Sequence, residues 1–291
     1  MWLAPKQQKR LLQALSLFSL VRAYNIIVLV VAQYFAARYI LASPPSWWNI
    51  ITDGFLFCLV MASATSSAAG YIINNFYDSA KDQINRPKKY LLEHLLSQQW
   101  QLTLYLLLNM ITLVLASVIS FRAVLFFVSY IFAIWLYSSS LKRLFWLSNI
   151  VATFLMVLPF GALTIYYRNF DPFVFYHGGY LFFLLLARDI IKDLENFRGD
   201  WVQRYQTLPV VFNDTITKTI ISLSFLLCLI PIYFLGQQSL GYMVYYFMAT
   251  LPYLGLLLWA LWRAKDQKGY LWLHNMIKFW VLAGVFCISL I

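Results

Sequence analysis

The sequence predicts an all-α integral membrane protein, a bundle of about nine transmembrane helices, and three observations carry that prediction. Of the 291 residues, 62% are hydrophobic and only 11% are charged, against about 25% charged in soluble domains. The apolar residues come in runs long enough to cross a bilayer, which takes about 20 residues as a helix. Lys and Arg gather between alternate runs, the pattern of cytoplasmic loops. The 19% aromatic content suits interfacial belts or the lining of an apolar cavity.

The runs fall at 22–42, 52–73, 101–121, 123–141, 145–166, 173–190, 216–235, 241–262 and 271–290. Ahead of the first, residues 1–21 read as a cytoplasmic, interfacial N-terminal segment, helical over 11–21. The chain from 1 to 291 is expected to be a single transmembrane domain. Arg122 and the pair Lys142–Arg143 supply the only strong punctuation between spans three, four and five. No removable signal peptide is expected, because the apolar stretch after Lys6, Lys9 and Arg10 runs long, contains Arg22 and has no small-residue cleavage pattern behind it. Cys58, Cys228 and Cys287 all sit inside apolar runs without CxxC spacing, so they read as structural filler, with no disulfide and no zinc site.

Nine spans put the termini on opposite sides. Seventeen of the 22 Lys and Arg residues then share one side, while Arg38, Arg122 and Arg168 fall on the other. The positive-inside rule makes the crowded side cytoplasmic, with the N-terminus in and the C-terminus out. The net charge of +11 is thereby a matter of topology, and nucleic acid is not expected as a partner. Eight of the 11 acids crowd the same side, after spans two and six. The rule does not predict this, because Asp and Glu contribute little to topology, so a second cause is needed.

That cause is a pair of motifs. The first reads Asn74-Asn75-Phe-Tyr-Asp78-Ser-Ala-Lys81-Asp82, then Asn85-Arg86-Pro87. If span two continues as a helix beyond the membrane, Asn74, Asp78 and Asp82 share one face at four-residue spacing, and Pro87 ends the helix. The second reads Arg188-Asp189-Ile-Ile-Lys192-Asp193-Leu-Glu195-Asn196-Phe-Arg198-Gly199-Asp200, with Asp193, Asn196 and Asp200 at i, i+3, i+7. Carboxylates one turn apart repel unless a divalent cation lies between them. Magnesium takes hard oxygen ligands and binds through one or two carboxylates plus substrate phosphates, so Mg2+ and a diphosphate are the expected partners. The bland alternative for each motif is a solvated loop of helix-capping acids.

These residues resemble the UbiA superfamily of intramembrane prenyltransferases. Its first motif, NDxxDxxxD followed by NRP, is matched by Asn74, Asp78, Asp82, Asn85, Arg86 and Pro87, with Asn75 in place of Asp. Its second motif, KDxEDxxGD followed by TLP, is matched by Lys192, Asp193, Glu195, Gly199, Asp200, Thr207, Leu208 and Pro209, with Asn196 in place of Asp. An early RPxN element appears as Arg22-Ala23-Tyr24-Asn25 and a YSxxLKR element as Tyr137 to Arg143. The resemblance runs from Arg22 to Lys278 and is strongest to the geranylgeranylglycerol-phosphate geranylgeranyltransferase branch. It implies magnesium-dependent transfer of a prenyl group, geranylgeranyl in that branch, from its diphosphate to a lipophilic acceptor, a prenylglycerol phosphate. Prenylation of an aromatic acceptor in quinone synthesis is the alternative enzyme reading, and an isoprenoid carrier or transporter the alternative outside enzymes. The implied setting is a bacterial or archaeal cell membrane.

On this reading Asp78, Asp82, Asp193 and Asp200 carry catalysis. Asn74, Asp78, Asp82, Asp193, Asn196 and Asp200 ligate magnesium. Arg22, Asn25, Lys81, Lys142, Arg143 and Lys192 contact the diphosphate, and Asn75 and Asn196 act as weak or indirect ligands. The carbocation must be kept from water, which calls for a central cavity opening to the cytoplasmic side. Lys278, inside the last span, stands as a further candidate without an assigned role.

Overall fold

The structure is a computed structural model describing residues 5–41, 46–145 and 147–291, with side chains from Leu11 onward. Fourteen α-helices follow in order: α1 (Pro5–Leu20), α2 (Ala23–Ala36), α3 (Trp47–Thr52), α4 (Gly54–Asn85), α5 (Pro87–Glu93), α6 (Gln98–Ile119), α7 (Phe121–Ser139), α8 (Leu147–Tyr167), α9 (Pro172–Val202), α10 (Leu208–Val211), α11 (Asp214–Leu227), α12 (Leu229–Gly236), α13 (Met243–Arg263) and α14 (Gln267–Cys287). Among the described residues there is no strand, and nine helical segments are long and apolar enough to cross a membrane, as the sequence predicts.

Local chemistry sets the helix ends. Ser97, Ser120, Asp171 and Asn213 each accept a hydrogen bond from a first-turn backbone N–H of α6, α7, α9 and α11. Pro172 occupies the first position of α9, where its missing N–H costs nothing. Ser120 alone separates α6 from α7. The seventh span is two helices meeting at Cys228, three residues before Pro231, whose ring cannot donate into the helical ladder. The buried Cys228 thiol fills the break and reaches the Tyr180 carbonyl oxygen at 3.5 Å. The first span ends in a wider π-helical turn, Ala37–Leu41, and residue 42, where that span was expected to stop, lies outside the described residues.

Two helices depart from the predicted spans. α4 was expected over 52–73 and α9 over 173–190, yet they run to Asn85 and Val202, 32 and 31 residues long, whereas the other spans have 19–24. At 1.5 Å per residue each is roughly 45–50 Å long, against a hydrocarbon core of about 30 Å. The excess turns carry the two acidic motifs.

The chain divides into two compact units. The first comprises residues 1–30 and 54–140. In it α4 packs on α6 and α7, and its middle turns are rich in small residues, with Ala62, Ser63, Ala64, Ser66, Ala68 and Ala69 all buried. Small side chains let helices approach closely without lipid between them. At Gly70 a Cβ would stand 3.0 Å from Ile134 Cγ2, so a side chain there would require Ile134 on α7 to give by a few tenths of an ångström. The Thr65 and Thr112 hydroxyls meet at 2.8 Å between α4 and α6.

The second unit comprises residues 31–53 and 141–291. α9 is its centre, with α8, α11, α12 and α14 packed around it. Leu184, Ile190, Ile191, Ile221, Phe225, Leu257 and Ile277 form the middle of its core. Tyr180, Tyr246 and Trp280 link α9, α13 and α14, the two phenol oxygens lying 2.9 Å apart and Tyr246 donating to the Trp280 carbonyl at 3.1 Å.

Candidate active site

In the first unit, α4 carries its motif as one uninterrupted helix to Asn85, and α5 begins at Pro87. Asn74, Asp78 and Asp82 therefore do share a face. Asn74 Nδ2 donates to Asp78 Oδ2 at 3.0 Å, orienting the carboxylate one turn on. Asn75, three residues before Asp78 and seven before Asp82, lies on that face too and is buried. The early element lies close by. Arg22 occupies the turn between α1 and α2 with φ +48°, a left-handed conformation that costs a non-glycine residue about 1–2 kcal/mol. Its guanidinium sits 4.8 Å from the Tyr71 ring centroid, and Asn25 Nδ2 donates to the Tyr71 hydroxyl at 3.4 Å. Tyr71 precedes Asn74 by one turn, so Arg22, Asn25 and the acidic face are neighbours within one unit.

Asp82 meets Lys89. Lys89 Nζ lies 3.4 Å from Asp82 Oδ2 and 3.6 Å from Glu93 Oε2, and Ser19 Oγ donates to Glu93 Oε1 at 2.8 Å. The short helix α5 thus folds a lysine back over the end of the motif. Burial, helped by the nearby Arg22, holds the Lys89 ammonium below the usual lysine range, while Asp82 and Glu93 pull the other way. Lys81 stays on the same helix, partly buried.

In the second unit, the motif on α9 is far more enclosed. Asp189, Asp193, Glu195, Asn196 and Asp200 are all buried, Asp200 completely. Asn149, two residues into α8, spans two of them: its Nδ2 donates to Asp193 Oδ2 at 2.8 Å and to Asp189 Oδ2 at 3.1 Å. Lys192 Nζ stands 3.7 Å from Asp189 Oδ1. Asp200 Oδ2 accepts from the Thr207 hydroxyl at 3.4 Å, and its carbonyl accepts from the Tyr205 N–H at 2.9 Å, so the Thr207-Leu208-Pro209 segment closes back on the motif. Lys142, buried, and Arg143 form a 3-10 turn between α7 and α8. Arg143 lies over the Tyr205 ring at 5.5 Å, and its carbonyl accepts from the Gln206 N–H at 3.2 Å. Glu195 turns the other way and meets His274 Nδ1 on α14 at 2.9 Å.

The donor set suits magnesium. It consists of carboxylate and amide oxygens, and the Asn149 Oδ1 is buried beside Asp189 and Asp193 with no hydrogen-bond partner. Among the described residues no three His, Cys, Asp or Glu side chains converge into a cage. Magnesium does not require one, because substrate phosphates and water complete its shell. Residue-by-residue reading missed Asn149, Asp189, Lys89 and His274. The one signal for Asn149 is an amide placed inside an apolar run seven residues after Lys142.

A nine-span helical membrane protein whose two longest helices end in acidic faces lined by Lys and Arg belongs to the class that handles lipid-linked phosphates at a membrane. The particular family follows directly: the profile of the UbiA prenyltransferase family matches residues 26–282, and the chain belongs to that family. It is a membrane-embedded prenyltransferase. Among its relatives, the digeranylgeranylglyceryl phosphate synthase of Sulfurisphaera tokodaii is 25% identical over 195 residues, covering 66% of this chain and 68% of that one. The protein of the same name from Methanothermobacter thermautotrophicus is 26% identical over 235 residues, covering 79% and 83%. The fold is similar to that of a UbiA homologue from Archaeoglobus fulgidus bound to GPP and Mg2+, with a TM-score of 0.69, 13% identity and coverage of 94% and 99%.

Proposed function

We propose that this enzyme transfers a geranylgeranyl group from its diphosphate to the free hydroxyl of a prenylglycerol phosphate, with magnesium, at the cytoplasmic face of a bacterial or archaeal cell membrane. The observation that carries the reading is the overrun of α4 and α9 past the bilayer thickness, each overrun ending in an ordered acidic face. The names of the relatives support the acceptor, and the Lys and Arg asymmetry of the loops supports the orientation.

The reaction breaks the allylic C–O bond, leaves diphosphate, and forms a C–O bond between the allylic carbon and the acceptor oxygen, whose proton is lost. When bound, magnesium supplies Lewis-acid stabilisation of the charge that grows on the leaving diphosphate. Asn74, Asp78, Asp82, Asp193, Asn196 and Asp200 are the residues proposed to hold it. Arg22, Asn25, Lys81, Lys142, Arg143 and Lys192 are proposed to bind the phosphate oxygens, with Lys89 added from the structure. Cationic side chains aimed at the leaving group lower the barrier because the charge they meet develops in the transition state. Asn149 and Thr207 fix the directions of Asp193 and Asp200.

Mass analysis of the product made by purified protein from labelled geranylgeranyl diphosphate tests this. Geranylgeranylglyceryl phosphate should yield the doubly prenylated lipid, with diphosphate released in a magnesium-dependent manner. Product from 4-hydroxybenzoate and none from the glycerol lipid would replace the acceptor, and binding without diphosphate release would make the protein a carrier.

A further inference from the structure

The two charged side chains that α5 brings to the end of the first motif are held with unequal firmness. Glu93 is pinned. Gln101 Nε2 donates to the carbonyls of Glu93 and Leu96, both at 3.1 Å, and His94 Nε2 meets the Ser79 hydroxyl on α4 at 3.2 Å. Glu93 itself is 1% exposed, and Ser19 on α1 fixes its Oε1 at 2.8 Å. A buried carboxylate tied at one oxygen and at its own backbone cannot follow a partner that moves.

Lys89 is held loosely. Its Nζ stands between two carboxylates, 3.4 Å from Asp82 Oδ2 and 3.6 Å from Glu93 Oε2. Close ammonium–carboxylate bonds measure about 2.7–2.9 Å. The same protein makes one elsewhere: Lys218 Nζ lies 2.7 Å from Asp214 Oδ2 and 2.7 Å from the Ala264 carbonyl oxygen. The Lys89 ammonium is therefore shared, and neither acid holds it closely. Glu93 Oε2 is buried and accepts no hydrogen bond, so a nearer ammonium would satisfy it. The positive charges of Arg22 and Arg86 also push on Lys89. A flexible four-carbon stem lets the ammonium move while α5 stays in place.

We propose that Lys89 stands in for the metal at Asp82: in the metal-free enzyme its ammonium neutralises that carboxylate, and it passes to Glu93 when magnesium takes Asp82. The inference rests on the assignment of Asp82 to magnesium made above. Asp78 and Asp82 stand one turn apart and repel each other when no cation is near. Without metal, the Asn74 amide serves Asp78 and Lys89 serves Asp82. Lys89 and magnesium thus compete for one carboxylate. Glu93 favours the metal in that contest, because it gives the displaced ammonium a buried partner. Once released by Asp82, the ammonium is available to the leaving diphosphate.

Isothermal titration of the purified full-length protein with magnesium chloride alone, without diphosphate, tests this. Lys89→Gln should tighten magnesium binding about threefold, the scale of a partly exposed ion pair. Glu93→Gln should weaken it by about the same factor, because Lys89 then has Asp82 as its one acid. The double variant should bind like Lys89→Gln, because Glu93 acts on the metal through Lys89. A lysine that only braces α5 would not tighten binding when removed. Gel filtration identifies variants that fail to fold. Lys89→Met, which keeps the apolar stem, decides the matter if Lys89→Gln does not fold. Unchanged or weaker binding in a folded Lys89 variant would overturn the exchange, as would tighter binding in Glu93→Gln. The metal assignment fails separately, if Asp82→Ala binds magnesium as the wild-type protein does.

Discussion

The two acidic motifs share a helical spacing and differ in almost everything around it. On α4 the carboxylates are partly exposed, and they meet a neighbouring amide and a lysine brought back by a short helix. On α9 they are buried, tied on one side to Asn149 and on the other, through Glu195, to His274. The α4 motif can therefore shift to meet a ligand at small cost, while the α9 motif is already aimed. A buried carboxylate pair tied to Asn149 cannot rearrange without leaving charge unsolvated, so its geometry is set before substrate arrives.

Substitutions can break this comparison. The largest effects are expected at the carboxylates themselves: Asp78→Ala and Asp193→Ala should each lower magnesium-dependent turnover on the order of 10²–10³-fold, the scale of losing one organised transition-state contact. Steady-state kinetics over a magnesium titration reads this. Next is Asn149→Ala. It removes an amide donor shared by two buried carboxylates and should cost about 1–3 kcal/mol of stability, seen as a lower unfolding temperature relieved by added magnesium. The equivalent change on the exposed side, Asn74→Ala, should cost under about 1 kcal/mol and leave the unfolding temperature nearly unmoved.

Smaller effects sharpen the contrast. Asn196→Asp restores a carboxylate on the ligand face of α9 and should lower the half-saturating magnesium concentration several-fold. Asn75→Asp adds a carboxylate at i, i+3, i+7 with Asp78 and Asp82 on α4 and should lower it by a smaller factor, because those two carboxylates are partly exposed. Magnesium titrations of the two variants side by side separate these outcomes. Lys89→Gln leaves the buried Glu93 short of its cation as well as the partly exposed Asp82, and should cost about 1–3 kcal/mol, read as a lower unfolding temperature.

Much of this was legible in the sequence because the bilayer imposes a length and a composition on every span. Nine spans and their order follow from runs of apolar residues, and Pro87 marks where a helix carried through the first motif must end. The second motif's ligand spacing was equally plain, because i, i+3 and i+7 positions must share a face on any helix. The excess length of α9 was not, because hydropathy fades where the charges begin although the helix does not. Contacts between distant positions were hidden altogether. Asn149 stands 40 residues before Asp189 and His274 stands 79 after Glu195, so nothing local pairs them. Lys89 looked like one of several loop cations until α5 folded it onto Asp82. The two Asn replacements read alike in sequence, and both are buried on the acidic face of their helix, Asn75 with Asp78 and Asp82 and Asn196 with Asp193 and Asp200.

The most direct test of the central claim, that both motifs serve one magnesium-dependent ionisation, is diphosphate release from geranylgeranyl diphosphate by purified Asp78→Ala, Asp193→Ala and the double variant. Loss in each single variant, with the double no worse than the more damaged single, is the result expected if the carboxylates work as a unit. Full magnesium-dependent release by either folded single variant would contradict it.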